Sequence, residues 1–188
     1  HLSIRRQRQM CIRDRKETVF KKNIIRRNLL NHNFRNVELS DDISNIFYEL
    51  VNGKIICTYI PISSEINVLP ALSSSIFLNT TFVDGENLQI CTYSEPFIEN
   101  KFGVLQPKIL TPNFDTEVFI VPGVGFTKFG DRLGRGGGYY DALLKENSEA
   151  LKIGICHDFQ LVDELPIEEH DIAMDYVFTD KNYYKSSI

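Results

Sequence analysis

The residue pattern predicts one α/β domain, a three-layer α/β/α sandwich around a mainly parallel central sheet. Three observations carry this expectation. Short β-branched apolar runs alternate with segments of helical periodicity, as strand–helix–strand units require. The strongest runs, such as Val118-Phe119-Ile120-Val121 and Ile153-Gly154-Ile155-Cys156, are apolar on both sides, the pattern of strands covered on both faces. Finally, 188 residues suit a single core, and no internal repeat divides them.

Each element follows from local chemistry. Glu17 to Leu30 reads as a helix, with Val19, Phe20, Ile24, Ile25, Leu29 and Leu30 on its apolar face. Lys21, Lys22, Arg26 and Arg27 form the opposite, basic face. Ser40 to Val51 is a second helix: Ile43, Ile46, Phe47, Leu50 and Val51 recur at helical spacing, Ser40 or Asp41 caps it, and Gly53 stops it. Lys54 to Ile60 is a buried strand ended by Pro61. The polar turn Ser63-Ser64-Glu65 leads to a helix expected to run through Leu78, its limits blurred by Pro70 and the serines at 73–75. Thr80–Val83 and Leu88–Tyr93 are strands joined by Asp84-Gly85-Glu86-Asn87, a hairpin signal. Residues 94–116, with three prolines and little periodicity, read as a long functional loop. Glu117–Val121 is a strand, Gly138–Leu144 a helix, and Leu151–Cys156 and Tyr176–Phe178 are the last strands.

Composition narrows the function classes. No apolar run approaches the ~20 residues of a membrane span, and no secretory pattern opens the chain, so a cytoplasmic protein is expected. Four cysteines show no zinc or disulfide spacing, and Cys57, Cys91 and Cys156 sit in apolar runs as small hydrophobes. The net charge of −4 does not favour nucleic acid. Residues 1–15 are arginine-rich with a single acid, Asp14, and no aromatic residue for stacking. They read as an appendage outside the fold, with the domain at 16–188. A basic arm for RNA is the alternative.

The chemistry concentrates in one segment. From Val121-Pro122-Gly123 to Asp141 the chain leaves a buried strand, crosses Gly134-Arg135-Gly136-Gly137-Gly138, and enters a helix. Glycines let backbone N–H groups approach an anion, and the helix start adds a favourable dipole. Arg132 and Arg135 flank the turn with guanidinium groups suited to phosphate oxygens. Asp141 stands where a carboxylate can hold magnesium beside those phosphates. The spacing matches neither a P-loop nor a dinucleotide-binding turn.

The run PGVGFTKFGDRLGRGGGYYDALL closely resembles the signature of the 5-formyltetrahydrofolate cyclo-ligase family. Supporting matches are Lys22-Asn23-Ile24-Ile25-Arg26, Tyr59-Ile60-Pro61 to Glu65, Phe102-Gly103, and Gln160 through Leu165-Pro166 to Asp171, so the resemblance covers about 16–180. It implies an ATP- and Mg2+-dependent conversion of 5-formyltetrahydrofolate to 5,10-methenyltetrahydrofolate, by a monomer or weak homodimer acting on small molecules. It also implies roles. Lys22, Arg26, Arg132, Gly134, Arg135, Gly136, Gly137, Gly138, Tyr139 and Tyr140 would meet ATP. Ile60 and Glu65 would line the folate pocket with Arg135 and Tyr139, the last two being catalytic. Asp141 and Asp171 would bind the metal. His157 and His170 are expected to be structural or surface residues.

Three positions depart from the family pattern. Thr127 stands where aspartate is usual, Gln106 where glutamate is usual, and Glu117 where aspartate is common. Two other readings stay open at this point. A paralogue with the same ATP site would act on another, thiamine-related substrate. A basic-armed RNA- or anion-binding protein would bind in a salt-sensitive way through residues 1–15. Glu65 favours the first reading over the paralogue, and Asp141 with Asp171 argues for an enzyme.

Overall fold

The computed structural model describes residues 2–32, 39–72, 77–113 and 115–186, with side chains from Asp14 onward. In chain order the elements are α1 (Leu2–Leu30), α2 (Asp41–Val51), β1 (Ile56–Thr58), β2 (Leu78–Asp84), β3 (Asn87–Thr92), β4 (Phe97–Glu99), β5 (Leu105–Pro107) and β6 (Val118–Pro122). There follow β7 (Gly125–Phe126), β8 (Arg132–Leu133), α3 (Tyr139–Glu146), β9 (Leu151–Cys156), β10 (Tyr176–Thr179) and β11 (Tyr183–Lys185). The central sheet has the order β11-β10-β9-β6-β1-β2-β3. Its five inner strands are parallel, and β3 and β11 close the edges antiparallel.

Successive residues of β6 face opposite cores, and the first four are all buried. Val118 and Ile120 face a core with Ile43, Phe47 and Val51 of α2, while Phe119 and Val121 face a second core with Leu143 and Leu144 of α3. Both faces are covered, which is why this strand reads as an unbroken apolar run. The sandwich expected from the sequence is therefore the fold that forms. No helix among the described residues is long and apolar enough to cross a membrane.

Several boundaries moved for identifiable reasons. Ser40 is the N-cap residue of α2, but its side chain makes no capping bond; Ser44 Oγ instead donates to Leu39 O at 3.3 Å. The helix expected through Leu78 is a single 3-10 turn at Leu69–Leu72, and the serines at 73–75 lie outside the described residues. The presumed loop at 94–116 contains the hairpin β4–β5, whose three-residue strands are too short to show a period. Its turn is held by Asn100 Oδ1, which accepts from the backbone N–H of Phe102 and Val104. The edge strand β11 was missed for the same reason of length.

The largest correction concerns α1, which runs from Leu2 rather than from Glu17. Lys22 and Leu29 are buried on its inner stripe with Ile25 and Arg26 half-buried, while Phe20 and Ile24 face outward. The helix thus turns part of its basic face inward, because it docks on a cavity that supplies anionic partners.

Candidate active site

The cavity lies beyond the carboxyl end of β6 and at the start of α3, where open α/β sheets bind ligands. Its volume is about 530 Å3. The glycine turn forms one wall. Gly136 has φ +104° and Gly138, the N-cap of α3, has φ +69°, both in the region that L side chains rarely adopt. No side chain caps α3, so its first-turn N–H groups carry no side-chain acceptor from the cap residue. Beneath the turn, buried Gln160 donates from Nε2 to the carbonyls of Gly123 and Val124, at 3.2 and 2.9 Å. Its Oε1 accepts from the His157 N–H at 2.8 Å. Gln160 thus braces the cavity floor at Gly123.

Three cations converge on the turn, each with a defined partner. Arg132, buried on β8, donates from Nη2 to both carboxylate oxygens of Asp141 at 3.1 Å. Its Nε is buried with no hydrogen-bond partner, and its guanidinium lies over the Tyr140 ring at 5.5 Å. Arg26 of α1 donates from Nε to Gly134 O at 2.7 Å, tying that helix to the turn. Burial lowers the Arg26 pKa, and the neighbouring charge of Arg132 adds to this against Asp171 and Glu168. Lys22, with 7% of its side chain exposed, places Nζ 2.6 Å from Asp171 Oδ2 and 3.0 Å from Glu168 Oε2. The 168–171 turn is internally bonded as well, since the Glu168 N–H donates to Asp171 Oδ2 at 2.8 Å.

Glu65 occupies another side of the same cavity. Its Oε2 accepts from the Ile62 N–H at 3.1 Å and its Oε1 lies 3.9 Å from Arg135 Nε. Burial raises the Glu65 pKa, and neither the Ile62 N–H nor the Arg135 charge fully offsets that. The carboxylate is therefore short of hydrogen-bond donors, and a ligand that supplies them gains by filling that lack. Tyr140 is pushed up strongly by burial and remains a neutral phenol.

The sequence model of the 5-formyltetrahydrofolate cyclo-ligase family matches residues 25–180, which includes the glycine turn, Glu65 and Asp171. The chain belongs to that family. A 5-formyltetrahydrofolate cyclo-ligase of Mycolicibacterium smegmatis is 28% identical over 147 residues, 70% of this chain and 76% of the relative. One of Escherichia coli is 38% identical over 88 residues, 44% of this chain and 48% of the relative. Among solved structures, a 5,10-methenyltetrahydrofolate synthetase of Aquifex aeolicus superposes with a TM-score of 0.71 at 27% identity, covering 89% of this chain and 92% of that one.

Lys22, Arg26, Glu65, Arg132, Gly134 through Asp141, and Asp171 all line the one cavity. Ile60 does not; it is buried just past the end of β1. Asn23, Glu168 and His170 line the cavity and were not expected there. Glu168 and His170 belong to an acidic stretch that reads as an ordinary surface loop, and only contact with α1 distinguishes it.

The two uncharged departures lie outside the cavity. Thr127 is fully buried, and its hydroxyl donates to Asp131 Oδ2 at 2.8 Å while accepting from the N–H groups of Phe129 and Asp131. It organises the tight turn that leads into Arg132 and does not face the ligand space. Gln106 sits on β5, where its Oε1 accepts from Asn100 at 3.3 Å.

Donor chemistry for Mg2+ is present. Glu168, His170 and Asp171 offer ligand atoms within 4.8 Å of one another, and the Asp141 carboxylate lines the same cavity. Mg2+ favours oxygen donors, retains several waters, and commonly uses one or two carboxylates together with substrate phosphates. The carboxylates fit that requirement better than the imidazole does.

Proposed function

We propose that the chain joins ATP hydrolysis to ring closure of 5-formyltetrahydrofolate, giving 5,10-methenyltetrahydrofolate, ADP and phosphate. The observation that carries this reading is that Glu65 and the glycine turn line one cavity, together with Lys22, Arg26 and Arg132. A donor-poor carboxylate suits the amino and ring N–H groups of a pterin. The glycine turn and three cations suit a polyphosphate.

The formyl oxygen is a poor leaving group. In the proposed reaction it attacks the γ-phosphorus, the bond to ADP breaks, and the formyl carbon becomes an iminium phosphate. The neighbouring folate amine then attacks that carbon, loses its proton, and expels phosphate with the former formyl oxygen. Phosphoryl transfer of this kind needs charge neutralisation and in-line positioning more than a nucleophilic side chain. Arg132 and Arg26 hold the phosphates against the turn, with Lys22 beside them. Arg135 meets the transferred group, and Tyr139 bounds the space where the two substrates meet. Asp141 and Asp171 would hold Mg2+, which supplies positive charge to the phosphates.

The test is growth of the near-ultraviolet absorbance of the methenyl product on mixing protein, 5-formyltetrahydrofolate, Mg2+ and ATP, with Asp141→Ala as control. ATP-dependent growth, reduced at least about 100-fold in the control, is expected, since removal of one charge-stabilising group costs that order. No growth in protein that binds Mg2+-ATP would refute the folate assignment and direct the search to other substrates.

A further inference from the structure

Arg135 differs from the other cations of the cavity in what holds it. Lys22 is held by Glu168 and Asp171, Arg132 by Asp141, and Arg26 by the Gly134 carbonyl. Arg135 is held by none of these groups. Its Nη2 donates to Ser64 Oγ at 2.5 Å, and its Nε lies 3.9 Å from Glu65 Oε1. Both partners belong to the 63–65 turn. The Arg135 side chain is 49% exposed, and the glycines on either side place no side chain against it. One short hydrogen bond and one long ion pair, both partly solvated, therefore keep the guanidinium at the Glu65 side of the cavity.

We infer that Ser64 is a positioning residue that parks Arg135 against Glu65, and that the pterin frees Arg135 for phosphate when it takes Glu65. This rests on the proposed function. Glu65 already accepts the Ile62 N–H on Oε2, and its Oε1 faces Arg135. A pterin edge with two parallel donors needs both oxygens, so it displaces the loosely held guanidinium. Ser64 and Glu65 hold one guanidinium from one turn, so when the pterin takes Glu65 the guanidinium leaves Ser64 as well and is free to meet a phosphate oxygen. Nucleotide and folate then bind with positive coupling, each strengthening the other by the same factor. Binding of nucleotide alone must break the parked contacts itself, and is weaker for it.

The experiment is calorimetric titration of the full chain with a Mg2+ complex of a non-hydrolysable ATP analogue, with and without saturating 5-formyltetrahydrofolate. The wild type is expected to bind the analogue several-fold more tightly when folate is present. Ser64→Ala is expected to raise folate-free affinity about fivefold, the scale of a charge-assisted hydrogen bond discounted for exposure. Affinity in the ternary complex should stay within about twofold of wild type, so the coupling ratio falls. Ser64→Thr, which keeps the hydroxyl, should restore the ratio, an outcome that a merely structural role for Ser64 does not produce. Unchanged or weaker folate-free affinity in Ser64→Ala, or Ser64→Thr behaving as alanine, overturns the inference alone. Wild-type protein that binds the analogue but not 5-formyltetrahydrofolate overturns the folate reading, and this inference with it.

Discussion

Lys22→Met removes a buried ammonium while keeping most of its aliphatic volume, so the change isolates charge from packing. The ammonium sits 2.6 Å from Asp171 and 3.0 Å from Glu168, with 7% of the side chain exposed. Breaking a buried ion pair from one side costs roughly 3–5 kcal/mol, because the partner charge is left uncompensated. Here the two carboxylates keep 16% and 19% exposure, so water recovers part of that loss. The expected cost is about 2–3 kcal/mol. For a chain of this length that corresponds to a fall in Tm of about 4–12 °C. Thermal unfolding followed by circular dichroism reads it directly. Added Mg2+ should raise Tm more in the variant than in the wild type, because a divalent cation replaces the missing positive charge at Asp171. A fall of less than about 2 °C would mean that the pair is effectively solvated, and would refute the view that it fastens α1 to the cavity.

Two further outcomes follow from the same geometry. Thr127→Asp sets a second carboxylate against Asp131 in a fully buried position and should cost about 2–3 kcal/mol; the double variant with Asp131→Asn should recover most of it in urea unfolding, and failure to recover would place the strain elsewhere. Glu65 gives a pH signature. Burial raises its folded pKa above the ordinary 4.5, so between that value and the raised one the native state binds more protons than the unfolded chain. Its contribution therefore favours folding at low pH and is lost as pH rises through this window. Glu65→Gln should flatten that part of the stability–pH curve, and an unchanged slope would show that Glu65 does not titrate there.

The sequence by itself determined the elements whose chemistry is local. The unbroken apolar runs of β6 and β9 announce strands covered on both faces, Asp84-Gly85-Glu86-Asn87 is the turn of the β2–β3 hairpin, and the glycine turn between β8 and α3 sits where its residue types predict. These features depend on periodicity and on backbone conformations that few residues adopt. Only the tertiary structure decided which way α1 faces. Its amphipathic pattern pointed Phe20 and Ile24 inward, yet Lys22 and Arg26 turn to the cavity, because groups about 110 to 150 residues away offer them acceptors, the Asp171 carboxylate and the Gly134 carbonyl. The same holds for Glu168, met by Lys22, and for Ser64, met by Arg135. A polar side chain carries no period, and what it does is set by the group that folding places against it.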